Sequence, residues 1–272
     1  MLHSVRCGEN LVIGDGLLTE QTNLILCAAP ERKAEALALA AKLGLPMAEA
    51  PAAGQLCLQL KTDGLYLARD GLSLRGDFTA MLPRLRPNAL NGEMLVKAAR
   101  LKGIEGTPTA IDATAGLGED ALLLAAAGFS VTLFERNPVI AALLRDALTR
   151  APGAPELQEI VGRMKLREGD SVQALRNLET PPDVILLDPM FPARRKSGLI
   201  GKKLQLLQRL EAPCADEAEL LDAAISAGPR KVVIKRPLKG PFLADRKPAY
   251  SIRGKAVRYD CIVPPHGSES KK

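Results

Sequence analysis

The sequence predicts an α/β fold: a mostly parallel sheet with helices on both faces, preceded by a small α+β unit. Two observations carry that expectation. From residue 108 onward, continuous apolar runs alternate with helical periodicity, the pattern of parallel strands buried on both faces. Before residue 90 the pattern changes to short alternating runs cut by Asp-Gly pairs, which read as antiparallel strands joined by tight turns.

In the first unit, "NLILCA" suits a short strand, and "ERKAEALALAAKLG" an amphipathic helix closed by Gly44. "QLCLQLKTDGLYLARDGLSLRGD" then predicts a three-stranded meander. "LPRLRPNALNG", with two prolines, two asparagines and a glycine, reads as a linker, so the boundary is drawn between residues 1–90 and 91–272. A helix over "EMLVKAARLKG" leads into the second unit. There "TAIDAT", "SVTLFE", "RMKLREGD", "DVILLD" and "KVVIKR" are strands. "EDALLLAAAG", "PVIAALLRDALTRA" and "SVQALRNL" are helices, the second with Asn137 as N-cap and Pro138 in its first position. A helical stretch over 202–226 is broken near Pro213.

Hydrophobic residues make up 47% of the 272 and charged residues 25%, enough to fill a core and stay in solution. "ALLLAAAGF" is far too short to span a bilayer, and "MLHSVRCGEN" has no apolar segment behind a basic start. The cysteines, Cys7, Cys27, Cys57, Cys214 and Cys261, lie far apart, and the only histidines are His3 and His266. The expectation is a cytoplasmic protein with reduced thiols and no metal site. The net charge of +6 falls entirely after residue 90, where 28 basic residues stand against 22 acidic ones. Six basic residues and no acid occupy 191–210, and ten basic residues stand against Asp245 alone in 230–258. Both runs follow candidate strands, so a polyanion-binding face is expected there.

In parallel sheets ligands bind outside the carboxyl ends of the strands, so the residues just after each strand matter most. The first tip, "DATAGLGEDA", places Gly116 and Gly118 where the chain must turn sharply and let a ligand approach. Asp112 just before that turn would repel a pyrophosphate but suits a ligand with a cationic amino acid part. The second tip ends in Glu135, an acid able to accept from two ribose hydroxyls. At the third, Asp170 and Ser171 either bond an adenine edge or N-cap the next helix. The fourth is "DPMF", Asp188 to Phe191.

This order of tips resembles a class I S-adenosylmethionine-dependent methyltransferase, with its Rossmann-like sheet, and Asp-Pro-x-Phe resembles the motif of enzymes that methylate exocyclic amino groups of nucleobases. "DATAGLGEDA", "ERNPVIAALL", "LDPMFPARRKS" and "VVIKRP" are similar to the RsmJ family of bacterial 16S ribosomal RNA guanine-N2 methyltransferases. The resemblance covers residues 90–262 well and the first ninety loosely. It implies S-adenosylmethionine as cofactor, held by Glu119, Asp120, Glu135, Arg136, Asp170, Ser171 and Asp188, beside Asp112, Gly116 and Gly118 read from the turn itself. This chain departs from the family at Glu119, an arginine in some members, and at Asp170–Ser171, a serine pair.

The implied partner is 16S ribosomal RNA or the small ribosomal subunit, with no membrane and no protein partner. Asp188 and the carbonyl of Pro189 would accept the hydrogens of the guanine amino group, and Phe191 would stack on an unstacked base. Arg194, Arg195, Lys196, Lys202 and Lys203 would hold the flanking phosphates. An adenine-N6 methyltransferase shares "DPMF" and stays open on the residues alone. A nucleotide-dependent oxidoreductase would need the glycine turn but not Asp-Pro-x-Phe. A non-catalytic RNA-binding module would bind RNA without transferring a methyl group.

Overall fold

The structure, a computed structural model, describes residues 24–189, 206–207, 209–210 and 217–265. The first unit is a four-stranded sheet of β1 (Ile25–Ala28), β2 (Cys57–Lys61), β3 (Gly64–Arg69) and β4 (Leu72–Leu74), in that order, with α1 (Lys33–Leu43) after the first strand. β1 pairs parallel to β2, and the other pairs are antiparallel, as the expected meander requires. Asp70 and Gly71 both have positive φ, 48° and 75°, the twist a two-residue hairpin turn needs. α1 stops at Gly44, left-handed at φ 65°, whose N–H reaches back to Ala40 and Ala41.

This sheet lies on the helix α6 (Pro138–Arg150) of the second unit. Leu58, Leu60, Leu65 and Leu67 alternate onto one face and share a core with Val139, Ile140 and Leu143. The approach is close. A Cβ on Gly64 would lie 2.7 Å from Arg150 Nε, and one on Gly76 would lie 2.7 Å from the Ala147 side chain. Residues 82–92, expected as a linker, instead form α2 (Leu82–Leu85) and α3 (Pro87–Gly92), followed by α4 (Met94–Ala99). Pro83 and Pro87 sit in the first turns, where a missing N–H costs nothing. Arg84 grips Glu93 through two bonds across the pair.

The larger sheet holds β5 (Thr109–Asp112), β6 (Ser130–Glu135), β7 (Met164–Glu168), β8 (Val184–Leu187), β9 (Lys231–Pro237), β10 (Tyr250–Arg253) and β11 (Val257–Ile262), ordered β10-β11-β9-β8-β5-β6-β7. The first five are parallel to one another, and β11 inserts antiparallel between β9 and β10. α5 (Glu119–Ala126) packs on one face, with residues 121–125 wholly buried. On the other face α8 (Ser171–Arg176) and α9 (Glu217–Ser226) cover Ile111, Ile185, Leu187 and Ile234.

Two pieces escape the sequence expectation. α7 (Pro155–Gly162) is only two turns long, with Leu157, Ile160 and Val161 at helical spacing on one face, and the sequence reading passed over it. The β10–β11 hairpin hides its pattern because Arg258 and Asp260 sit in its core. They satisfy each other, with Nε to Oδ1 at 2.9 Å.

Asn137 caps α6 as expected, accepting from the N–H groups of Val139 and Ile140, and its amide donates to the Leu210 carbonyl. Asn137→Ala should therefore lower the unfolding free energy by about 1–2 kcal/mol, the usual loss for an N-cap. A urea midpoint within error of the parent would show that the cap contributes nothing.

Candidate active site

A cavity of about 390 Å³ opens at the carboxyl ends of β5, β6, β7, β8 and β9. Asp112, Gly116, Gly118, Glu119, Asp120, Glu135, Arg136, Asp170, Ser171, Asp188 and Pro189 all line it. Apolar walls come from Phe134, Ile140, Val172, Leu207 and Leu220, none of which the sequence reading had singled out.

The glycine turn is held from three sides. Gly116 and Gly118 have φ 53° and 78°, a region L side chains avoid. A Cβ on Gly118 would meet Leu144 at 2.7 Å, whereas one on Gly116 would meet nothing within 4 Å. Gly118 is therefore small so that Leu144 of α6 can pack against the start of α5, while the space at Gly116 belongs to the cavity. Glu135 is buried at the tip of β6, and its two oxygens accept from the N–H groups of Gly116 (2.9 Å) and Asn137 (2.8 Å). Burial pushes its carboxyl above the usual range, against the pull of those N–H donors. Asp170 N-caps α8, accepting from Val172 N–H at 2.7 Å, so capping, one of its two expected roles, is real. Ser171 beside it is buried.

The centre of the cleft is an acid cluster around one cation. Lys235, at the level of Asp188 on the neighbouring strand, places Nζ 2.6 Å from Asp120 Oδ2 and 2.8 Å from Asp188 Oδ2. Burial alone would depress its ammonium, but Asp120 and Asp188 raise it instead. Burial raises Asp188, and Lys235 opposes that shift. Asp112 is buried behind them, pushed up to about 8 by burial and then by the charge of Asp120. Thr114 ties the two strand tips: its N–H donates to Asp112 Oδ1 at 3.1 Å, and its hydroxyl accepts from Asp188 N–H at 2.7 Å. Sequence reasoning missed Thr114 and counted Lys235 only within a basic run. The usable signal was a lysine closing an otherwise apolar strand, "KVVIK".

That basic run is corrected further. Four of its ten cations are interior. Besides Lys235, Lys231 donates to the carbonyls of Ala98 and Arg100, Arg236 to Pro241 and Glu217, and Arg258 to Asp260 and four carbonyls. The run is read as a polyanion face only in its exposed members. Phe191, Arg194, Arg195, Lys196, Lys202 and Lys203 lie outside the described residues, as do residues 202–205, 208 and 211–216 of the expected helix over 202–226. Among the described residues no helix is long and apolar enough to cross a membrane.

Comparison with known proteins gives the family. A family model described as "Putative SAM-dependent methyltransferase" matches residues 38–264. A ribosomal RNA small subunit methyltransferase J from Pseudomonas syringae is 42% identical over 229 residues, covering 81% of this chain and 84% of that one. The protein of the same name from Thioalkalivibrio sulfidiphilus is 42% identical over 244 residues, covering 87% and 95%. The crystal structure of a SAM-dependent methyltransferase from Neisseria gonorrhoeae superposes with a TM-score of 0.70 at 30% identity, covering 92% of this chain and 98% of that one.

The raised Asp112 has a consequence for stability. Its folded pKa, about 8, lies above the unfolded value, so its contribution is fully present below about pH 4 and is lost as pH rises through about 8. Asp112→Asn removes that loss. The variant should gain melting temperature over the parent at pH 8 and gain less at pH 5, both without ligand. A difference independent of pH would mean that Asp112 titrates as an ordinary carboxylate.

Proposed function

The chain belongs to the ribosomal RNA small subunit methyltransferase J family of S-adenosylmethionine-dependent methyltransferases, and from that premise we propose that it methylates the exocyclic N2 of a guanine in 16S ribosomal RNA. The observation that carries the reading is Asp188–Pro189 at the tip of β8, facing the same cleft as an acid-lined glycine turn. An oxidoreductase has no use for that pair. A substrate of this kind puts the enzyme in the cytoplasm.

The cleft suits S-adenosylmethionine on its own chemistry. Gly116 leaves room above the backbone, the carboxylates of Asp112, Asp120 and Asp188 exceed the one ammonium among them, and Phe134 and Val172 give an apolar wall. Asp112 and Asp120 would hold the cationic amino acid part. Glu135, already fixed by two N–H donors, keeps further lone pairs for ribose hydroxyls. Arg136, Asp170, Ser171 and the backbone from Gly116 to Glu119 complete the proposed cofactor site. When bound, the cofactor supplies an electrophilic methyl carbon on a positively charged sulfur.

Everything else is positioning, because a neutral thioether leaves without protein help. The guanine amino nitrogen is a poor nucleophile, since its lone pair is shared with the ring. Asp188 and the Pro189 carbonyl accept its two hydrogens, aim the nitrogen and stabilise the positive charge that develops there. Pro189 has no N–H to compete for those acceptors. Lys235 acts on Asp188 at 2.8 Å and keeps it an anion, hence an acceptor. Thr114 fixes the backbone of Asp188 from below. Phe191 is assigned the base platform from the resemblance.

Incubating the protein with labelled S-adenosylmethionine and unmodified 16S RNA or small subunits, then mapping the label, tests the reading. Label on adenine N6 would replace guanine, and RNA binding with no transfer at all would end the enzymatic reading. Asp188→Ala should lower the single-turnover rate by about 10²–10³-fold, the loss typical of one preorganised transition-state contact. Cofactor affinity should hold within a few-fold; a parallel collapse of that affinity would make Asp188 a cofactor residue instead.

Lys235→Met removes the charge that favours ionised Asp188. The acid limb of the pH–rate profile should then move to higher pH, and Lys235→Arg should restore it. An unmoved limb in Lys235→Met would show that Lys235 only props the fold.

A further inference from the structure

The loop leaving β9 is built in a way the cleft does not require. Residues 238–256 carry five cations, Lys239, Arg246, Lys247, Arg253 and Lys255, all exposed, against a single acid, Asp245. Lys239, at the exit of β9, and Arg253 and Lys255, at the β10–β11 turn, stand at the carboxyl end of the sheet. Pro237 ends β9 and pairs with Val257, and Leu238 N–H bonds to the Ala256 carbonyl at 3.1 Å, so the β9 exit and the β10–β11 turn lie side by side. That is the end of the sheet where Asp188 leaves β8.

The loop is also rigid. The buried Arg258 guanidinium donates to the carbonyls of Pro237, Leu238, Gly240 and Pro241 while Asp260 holds its other side. Leu243 is buried as an anchor, and the chain passes it through two successive non-glycine residues at positive φ, Ala244 at 47° and Asp245 at 54°. Such conformations are unfavourable, and they persist where surrounding structure imposes them. Between those fixed points stands Phe242. It is 37% exposed, with its ring centroid 5.0 Å from the Arg258 guanidinium, in a chain with only five phenylalanines and no tryptophan. An apolar ring left in water on a pinned loop, flanked by exposed cations, is the arrangement that receives an unpaired nucleotide: the cations take phosphates and the ring takes a base.

We propose that the β9–β10 loop and the β10–β11 turn form the docking surface for the single-stranded RNA flanking the target base, with Phe242 as a stacking platform and Lys239, Arg253 and Lys255 as phosphate contacts. This rests on the RNA-methyltransferase reading above and adds where the substrate's backbone lies.

Three proteins test it: Phe242→Ala, Phe242→Trp, and the triple variant Lys239→Ala/Arg253→Ala/Lys255→Ala. Each is measured for binding to a 16S RNA transcript, to a single-stranded oligoribonucleotide and to a duplex of the same length. Cofactor affinity and melting temperature are measured alongside. Phe242→Ala should weaken single-strand binding roughly 5- to 150-fold, the range for losing one stacked base, and Phe242→Trp should restore it. The triple variant should reduce the logarithmic salt slope by about 2, at roughly 0.7 per phosphate on a single strand. Cofactor affinity and melting temperature should stay near the parent values in Phe242→Trp and in the triple variant. Unchanged RNA affinity in both Phe242→Ala and the triple variant would overturn the proposal, as would equal binding of duplex and single strand. Failure of the unsubstituted protein to transfer a methyl group, with these binding losses intact, would count against the enzymatic reading and leave the docking surface standing.

Discussion

One ammonium makes the cleft possible. Lys235 lies within 2.8 Å of both Asp120 and Asp188, and Asp112 is buried behind them. Three carboxylates so placed cannot all ionise without a compensating charge. Lys235 supplies it to two of them, and the third answers by a raised pKa of about 8. The sheet topology sets this up. β9 runs beside β8, so Lys235, two residues before the end of β9, meets Asp188, the first residue past β8. A small unit of charge is then left for a cationic ligand to neutralise, and the site stays short of positive charge until one arrives.

The glycine turn depends on a second set of constraints that reaches into the first unit. Glu135 holds Gly116 and Asn137 together, Asn137 starts α6, and α6 carries the whole four-stranded sheet on its other side. Phe78, from that first stretch of chain, packs at 3.3 Å from where a Gly118 Cβ would stand. The small unit therefore buttresses the helix whose start positions Glu135. Lys42 and Arg145, one from each unit, also share Glu168 at the tip of β7. A destabilised first sheet would be felt at the strand tips through packing rather than through any direct contact with ligand.

Much of this was legible in the sequence, for identifiable reasons. The parallel strands are continuous apolar runs, so β5, β6, β8 and β9 were readable, and the Asn137–Pro138 start of α6 is a pattern with its own mechanism. The strand-tip residues were readable because a parallel sheet gathers its carboxyl ends in one place. Three things were not. Buried charge defeats a hydropathy pattern, which hid β11 behind Arg258 and Asp260. Proline-rich sequence reads as linker, yet Pro83 and Pro87 serve as first-turn residues of α2 and α3. Counting charges along the chain cannot tell a surface cation from an interior one, so Lys231, Lys235, Arg236 and Arg258 swelled an apparent basic face that only the three-dimensional partners resolve.

An enzyme that joins a cationic cofactor to a polyanionic substrate has to keep two opposite fields apart. Here the separation is set by the order of strands. The acids cluster at β5, β8 and the start of α5, while the exposed cations sit beyond β9, around the β10–β11 turn at the sheet's edge. β10 lies three strand spacings from β8, about 14 Å at the usual 4.7–4.9 Å between neighbours. That exceeds the screening length of about 8 Å at physiological ionic strength, so Arg253 and Lys255 at the β10–β11 turn attract phosphates without neutralising the acids of the cleft. Between the two regions the cations are interior and already committed: Arg236 to Glu217 and a carbonyl, Arg258 to Asp260 and the loop it pins. The same guanidinium that holds the rim loop in shape is therefore also kept from spreading its charge toward Asp188. The β11 pair Arg258–Asp260, invisible to the hydropathy pattern, thus serves the electrostatics of both binding regions at once.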